Sequence, residues 1–150
     1  MFKNCTQLTN ADFFSGVTAA YASAFNSTFY NCSSLTEINL SSLTNLEGYY
    51  CADYICVGCS SLKRVYLSKL NNTGLGGRLS FAFDGCTALE LVDFHLATAV
   101  PAISTNTFQN TNSTFQIVVP DALYTQWISA TNWSALASQI VKWSEYTPAS

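Results

Sequence analysis

Charge is what this chain has least of. Of its 150 residues only 10% are Asp, Glu, Lys or Arg, against about a quarter in ordinary globular domains. Ser, Thr and Asn must therefore supply most of the polar surface. Six Lys and Arg against nine Asp and Glu leave a net charge of −3. So few cations argue against nucleic acid or an anionic membrane as a partner. No apolar run approaches the roughly 20 residues needed to span a bilayer, so no membrane insertion is expected. The opening MFKNCTQLTN lacks an apolar h-region, and no signal peptide is expected in this chain. The GLGG of Gly74–Gly77 is not the G-x-G-x-x-G of a dinucleotide site, and no cofactor is expected. There is one histidine, His95.

What the chain has instead is repetition. Phe29–Leu40 reads FYNCSSLTEINL, and Phe2–Phe13, Cys56–Leu67 and Phe83–Phe94 write it again. Cys5, Cys32, Cys59 and Cys86 stand 27 residues apart each time. Leu8, Leu35, Leu62 and Leu89 keep that step, as do Ala11, Ile38, Val65 and Val92. A fifth, degenerate copy starts at Phe108, with Thr111 for the cysteine and Ile117 and Val119 in the last two apolar places. One fixed period of this size is the sequence sign of a solenoid.

Within each copy the apolar residues fall as L-x-x-Φ-x-Φ, where Φ is any apolar residue, as in Leu35, Ile38 and Leu40. The last two alternate with polar residues, which predicts a short strand with one buried face. One strand per turn must stack in parallel, about 4.8 Å from its neighbour. Phe2, Phe29 and Phe83 are expected to pack inside, with Cys56 in that place in the third copy leaving room for Tyr54. Cys5, Cys32, Cys59 and Cys86 point the same way in successive rungs and read as a reduced, buried ladder. Cys51 and Cys56 lie outside that register; a pair between them, and with it the redox compartment, stays open.

Return segments 14–28, 41–55 and 68–82 vary most, and Asn71–Gly77 (NNTGLGG) is turn chemistry. From Val119 the pattern changes. Pro120 and Asp121 form a helix start. Thr131 or Asn132 then caps a second helical pattern in which Trp133, Leu136, Ile140 and Trp143 share a face. The chain thus divides into a solenoid, 1–119, of five rungs starting near 2, 29, 56, 83 and 108, and a helical cap and tail, 120–150. A solenoid needs an end piece because the last rung otherwise exposes its core and strand edge. The first rung starts at Phe2 with nothing before it, so Leu8, Ala11, Phe13 and a strand edge are expected to meet solvent. Self-association through Phe2–Gly16, or a longer parent chain, would cover them.

The pattern F-x-x-C-x-x-L-x-x-Φ-x-Φ resembles the BspA-type leucine-rich repeat of bacterial surface proteins, and VPDALYTQWISATNWSALASQI is similar to a closing segment of that family, including its phage-encoded copies. The resemblance implies an α/β repeat solenoid, a short right-handed leucine-rich-repeat stack with a parallel sheet and a helical C-terminal cap. It also implies binding, with a concave sheet presented to protein or glycan ligands. The commoner repeat has Asn or Cys three residues after the last strand position, where this chain has Gly16, Leu43, Leu70 and Ala97.

Register alone names the outward face. Its rows are Asn10, Glu37, Arg64, Leu91 and Gln116; then Asp12, Asn39, Tyr66, Asp93 and Val118; then Phe14, Ser41, Ser68 and His95. Glu37 falls beside Arg64 and Tyr66 beside Asp93. The ligand-binding residues expected are therefore Glu37, Asn39, Arg64, Tyr66, Asp93 and His95, since an exposed aromatic among charges carries recognition energy. The plainer reading is a solvated face with an ordinary ion pair.

Ser68, Asp93 and His95 form a near-triad, but a flat sheet offers no oxyanion donors or pocket, so no catalytic residue is assigned. Cys56-Val-Gly-Cys59 lacks the second pair that zinc needs. Of seven sequons, at Asn4, Asn26, Asn31, Asn39, Asn71, Asn112 and Asn132, most read as chance in a Ser/Thr/Asn-rich chain, and those at Asn4 and Asn31 enclose ladder cysteines. The expected function is noncatalytic binding at a bacterial or phage surface, cell-surface, extracellular or on the virion. The competing class is a structural component of a phage tail or filament.

Overall fold

The computed structural model describes residues 1–71 and 79–149. The turn read at 71–77 therefore lies, after Asn71, outside the described residues.

Each repeat contributes one short strand to a single parallel sheet. The strands are β1 (Asn10–Ala11), β3 (Glu37–Asn39), β5 (Arg64–Tyr66), β6 (Leu91–Asp93) and β7 (Gln116–Val119). A sixth, β8 (Ile140–Lys142), closes the order β1-β3-β5-β6-β7-β8. The register is the one the period dictates: Ala11 beside Ile38, Ile38 beside Val65, Val65 beside Val92 and Val92 beside Ile117. These side chains, with Leu35, Leu62 and Leu89, form a continuous buried core. A slip of one residue would turn every one of them to solvent, which is why a strand of three residues suffices.

The approach to each strand is a second ladder. Phe29, Cys56 and Phe83 donate their amides to carbonyls one rung on, at Ile55, Ala82 and Thr107. Between these residues and the cysteine the chain must turn, and the residue before it adopts positive φ: Asn4 (61°), Asn31 (57°), Gly58 (71°), Gly85 (75°) and Asn110 (54°). Asn and Gly are the residues that tolerate this conformation. The asparagines of the Asn4 and Asn31 sequons are thus explained by the backbone.

The ladder cysteines are more than small fillers. The Cys32 thiol donates to the Phe2 carbonyl (2.9 Å), Cys59 to Phe29 (3.0 Å) and Cys86 to Cys56 (3.2 Å), each tying its rung to the one before. All six cysteines are free thiols, Cys51 and Cys56 included. Cys5 departs from the expected buried ladder. It is exposed, because among the described residues no rung lies before it to cover it. Aromatic stacking runs Phe2–Phe29 (5.6 Å) and Phe83–Phe108 (5.4 Å), interrupted at Cys56. Tyr54 does not fill that gap. It stays outside, stacked on Phe81 at 5.3 Å.

The first two return segments, 14–28 and 41–55, share a backbone pattern that their sequences do not announce. β2 (Ala19–Tyr21) and β4 (Asn45–Glu47) form a second parallel sheet that sequence reading missed, with Ala20 and Leu46 paired and buried. Ser27, Tyr54 and Phe81, one period apart, share positive φ of 52°, 57° and 51°.

The end piece corrects the expectation of two helices. Asp121–Leu123 is a 3-10 turn, with Pro120 before it, and runs into the six-residue helix α1 (Tyr124–Ser129). Ser134–Gln139 is 3-10 with no side-chain cap. Asn132 instead donates to the Ile103 carbonyl at 2.7 Å. Ile140 then enters β8, so Trp133 and Trp143 do not share a helix face. Trp127 and Trp133 are fully buried against Phe94, sealing the core. The 27-residue phase had passed into a segment whose apolar spacing fits helix and strand alike, and tertiary pairing with β7 decides it.

Candidate functional site

At the amino-terminal half of the outward face, Glu37 and Arg64 meet as the register requires, Arg64 Nη1 lying 3.9 Å from Glu37 Oε2 with both side chains nearly half exposed. A pair in that setting contributes little to stability. Asn39 is occupied locally: its Oδ1 accepts the Ser41 amide at 3.0 Å, an Asx turn that ends the strand.

The carboxyl-terminal half is different. Asp93 stands in the row of Asn39 and makes the same turn, accepting the His95 amide at 3.0 Å. It also takes the His95 Nδ1 at 2.7 Å and the hydroxyl of Ser68. Only 4% of Asp93 is exposed, so the expectation of a solvent-facing carboxylate is corrected: three donors hold it inside. His95 in turn lies under the ring of Trp143, centroids 4.1 Å apart and planes within 19°. Tyr66, expected exposed, is half-buried. Burial first, and then the Glu37 carboxylate, push its hydroxyl pKa upward.

Ser68, Asp93 and His95 are therefore together, but in the order serine–aspartate–histidine. In a nucleophilic triad the imidazole takes the serine proton and the carboxylate orients the imidazole. Here the Ser68 hydroxyl spends its proton on Asp93 and is itself buried. The arrangement fixes the His95 ring; it does not activate an oxygen.

The expectation of a flat face without a pocket fails at this end. After β8 the chain turns through Trp143–Glu145 and its tail passes over the sheet. The Asp121 carboxylate anchors that turn, accepting the hydroxyl and the amide of Ser144, bonds that hold its pKa below the usual value. Between tail and sheet lies a cavity of about 530 Å³. Tyr66, Leu91 and Gln116 line it from the strands; Trp143, Tyr146 and Pro148 line it from the tail. Of the six residues named from sequence, Arg64, Tyr66, Asp93 and His95 converge here, and Glu37 and Asn39 stay outside. Gln116 was legible in its row. Trp143 and Tyr146 were not, since nothing in the repeat period places the tail on this face.

Burial raises the Cys56 and Cys86 thiols well above the usual value, which keeps them protonated and poor nucleophiles. Among the described residues, no three His, Cys, Asp or Glu side chains converge as a metal site would need, and no helix is long and apolar enough to cross a membrane.

One parallel strand per turn, a leucine row beneath it and a fixed 27-residue register define a leucine-rich repeat solenoid. More narrowly, the chain belongs to the BspA-type leucine-rich repeat family: the model of the BspA type leucine rich repeat region, six copies long, matches residues 1–76. No curated protein and no solved structure matches the chain. Membership in such a repeat family points to a protein-binding module.

Proposed function

We propose that the protein is a noncatalytic binding module, displayed on a bacterial or phage surface, that takes a protein or glycan ligand at the carboxyl-terminal end of its outward sheet face. The observation that carries this reading is the cavity of about 530 Å³ between sheet and tail, where Arg64, Tyr66, Asp93 and His95 line a concave surface. A site of that volume with aromatic walls and a few polar groups is what ligand recognition uses. The family's general association with cell surfaces supports the location. No catalytic residue enters the reading, because the Ser68 proton is committed to Asp93.

Alanine at Tyr66 and Arg64 tests it, set against alanine at Tyr49 and Tyr50, which stand exposed on the return side. Asp93 is left intact, since it holds Ser68 and His95 in place. With a ligand taken from protein and glycan arrays, the first pair is expected to lose about tenfold or more in affinity. Equal loss in the second pair, or loss there alone, moves the site to the return segments.

A second reading, an assembly component whose partner is its own kind, is favoured by the first rung. Phe13 is 48% exposed beside Phe2, and among the described residues β1 pairs only with β3. Light scattering over a concentration series should then show association that Phe13→Asp abolishes. A strict monomer at high concentration removes this reading.

A further inference from the structure

The charges around the cavity are already matched. Arg64 faces Glu37, Glu90 holds Lys63 at 3.2 Å, and Asp93 is satisfied by His95 and Ser68. A charged ligand would find each of these groups already facing an opposite charge, so charge is not what this surface most readily offers. What remains unspent is neutral. Among the described residues, the hydroxyls of Tyr66 and Tyr146, the side-chain amide of Gln116 and Nε2 of His95 have no hydrogen-bond partner. Each lies on a residue that lines the cavity. The two hydroxyls and the amide can both donate and accept, and Nε2, with Nδ1–H donated to Asp93, accepts.

Shape narrows the choice further. An extended peptide adds to a sheet through the backbone groups of an edge strand. The strands under the cavity, β5, β6 and β7, are interior and already paired on both sides. They offer a face of side chains and no backbone ladder. Trp143 contributes a ring that is 49% exposed and held in place by His95 stacked against it. A fixed aromatic surface of this kind suits a flat ligand with an apolar side.

Resting on the binding reading above, we infer that the cavity takes an uncharged saccharide, its apolar side against the part of Trp143 left exposed between His95 and Tyr146 and its hydroxyls bonded to Tyr66, Gln116 and His95 Nε2. A sugar ring has the needed combination of an apolar C–H face and hydroxyls that donate and accept around its rim. The volume, about 530 Å³, falls within the range of small-ligand sites, roughly 300–1,000 Å³.

The test uses the full chain on an array of neutral and acidic mono- to tetrasaccharides, with the best neutral binder then titrated in solution. Trp127 and Trp133 are buried, so a change in tryptophan emission and in its quenching by acrylamide reports on Trp143. The expected result is binding of a neutral sugar that shields Trp143 and weakens at least about tenfold in the double variant Tyr66→Phe, Gln116→Ala. These changes remove only outward-facing polar groups, and an unchanged unfolding midpoint confirms that the fold survives. Binding that leaves Trp143 emission and the double variant's affinity unchanged overturns the inference, as does binding of acidic sugars alone. If no sugar binds while a peptide or protein from an array does so in a Tyr66-dependent manner, the saccharide inference falls and the binding reading stands. If neither binds in a Tyr66-dependent way, both fall.

Discussion

Phe13 and Phe94 hold the same place in the first and fourth repeats, yet Phe13 is 48% exposed and Phe94 is 0% exposed. Cys5 and Cys86 differ in the same way, one exposed and the other buried. The repeat thus specifies a shape, a strand and the turn before it, while the neighbouring rung decides how much of that shape is covered. Phe94 has Val119 of β7 beyond it and the indoles of Trp127 and Trp133 within 5.6 Å. Phe13 has Phe2 and Phe14 beside it and, among the described residues, no rung beyond. The site follows the same division. The outward face forms a cavity where the tail returns across it.

The largest effect should separate those two phenylalanines. Phe94→Ala is expected to cost about 3–5 kcal/mol, the usual loss for a buried aromatic, while Phe13→Ala should cost under about 1 kcal/mol. Urea unfolding of the two variants measures it, and equal midpoint shifts would break the comparison.

Much of this was readable in advance, and the unreadable parts share a cause. The strand register followed from one period, since Ala11, Ile38, Val65, Val92 and Ile117 leave a single in-phase solution. The meeting of Arg64 with Glu37 followed with it. Where two partners compete for a segment, period says nothing. Ile140–Lys142 has spacing that fits a helix, and pairing with β7 makes it a strand. The cavity depends on Trp143 and Tyr146, which belong to no repeat. The thiol hydrogen bonds escaped for another reason: a buried cysteine looks the same in sequence whether or not its proton has an acceptor.

Gly58 and Gly16 sharpen the comparison at the level of the backbone. Both adopt positive φ, 71° and 90°. A Cβ on Gly58 would overlap the Asn31 side chain of the rung before, whereas one on Gly16 meets nothing within 4 Å. Gly16→Ala should therefore cost about 1 kcal/mol, the conformational term alone. Gly58→Ala should exceed it by about a further 1 kcal/mol because Asn31 must move. Identical costs would mean that the Asn31 side chain turns aside freely.

The thiols give a smaller, chemical version of the same contrast. In the native state only Cys5 should react with a thiol reagent, and five more should appear on denaturation without reductant. Burial lifts Cys56 and Cys86 above the usual value near 9. The folded chain keeps those protons where the unfolded chain releases them. Their contribution is therefore complete below about pH 9 and is lost as the pH rises through the folded values. Stability should fall in that alkaline window, and the fall should be shallower in Cys86→Ala. A parallel decline in both proteins would assign it to other groups.

Amide hydrogen exchange, residue by residue, tests most directly whether one repeated shape is covered unequally along the stack. The amides of residues 89–94 and 116–118 are predicted to exchange only with global unfolding, those of 35–40 to follow closely, and those of 8–13 to exchange through local opening far more readily. Protection at 8–13 equal to that at 89–94 would contradict the account, showing that the first rung is as fully satisfied as the fourth.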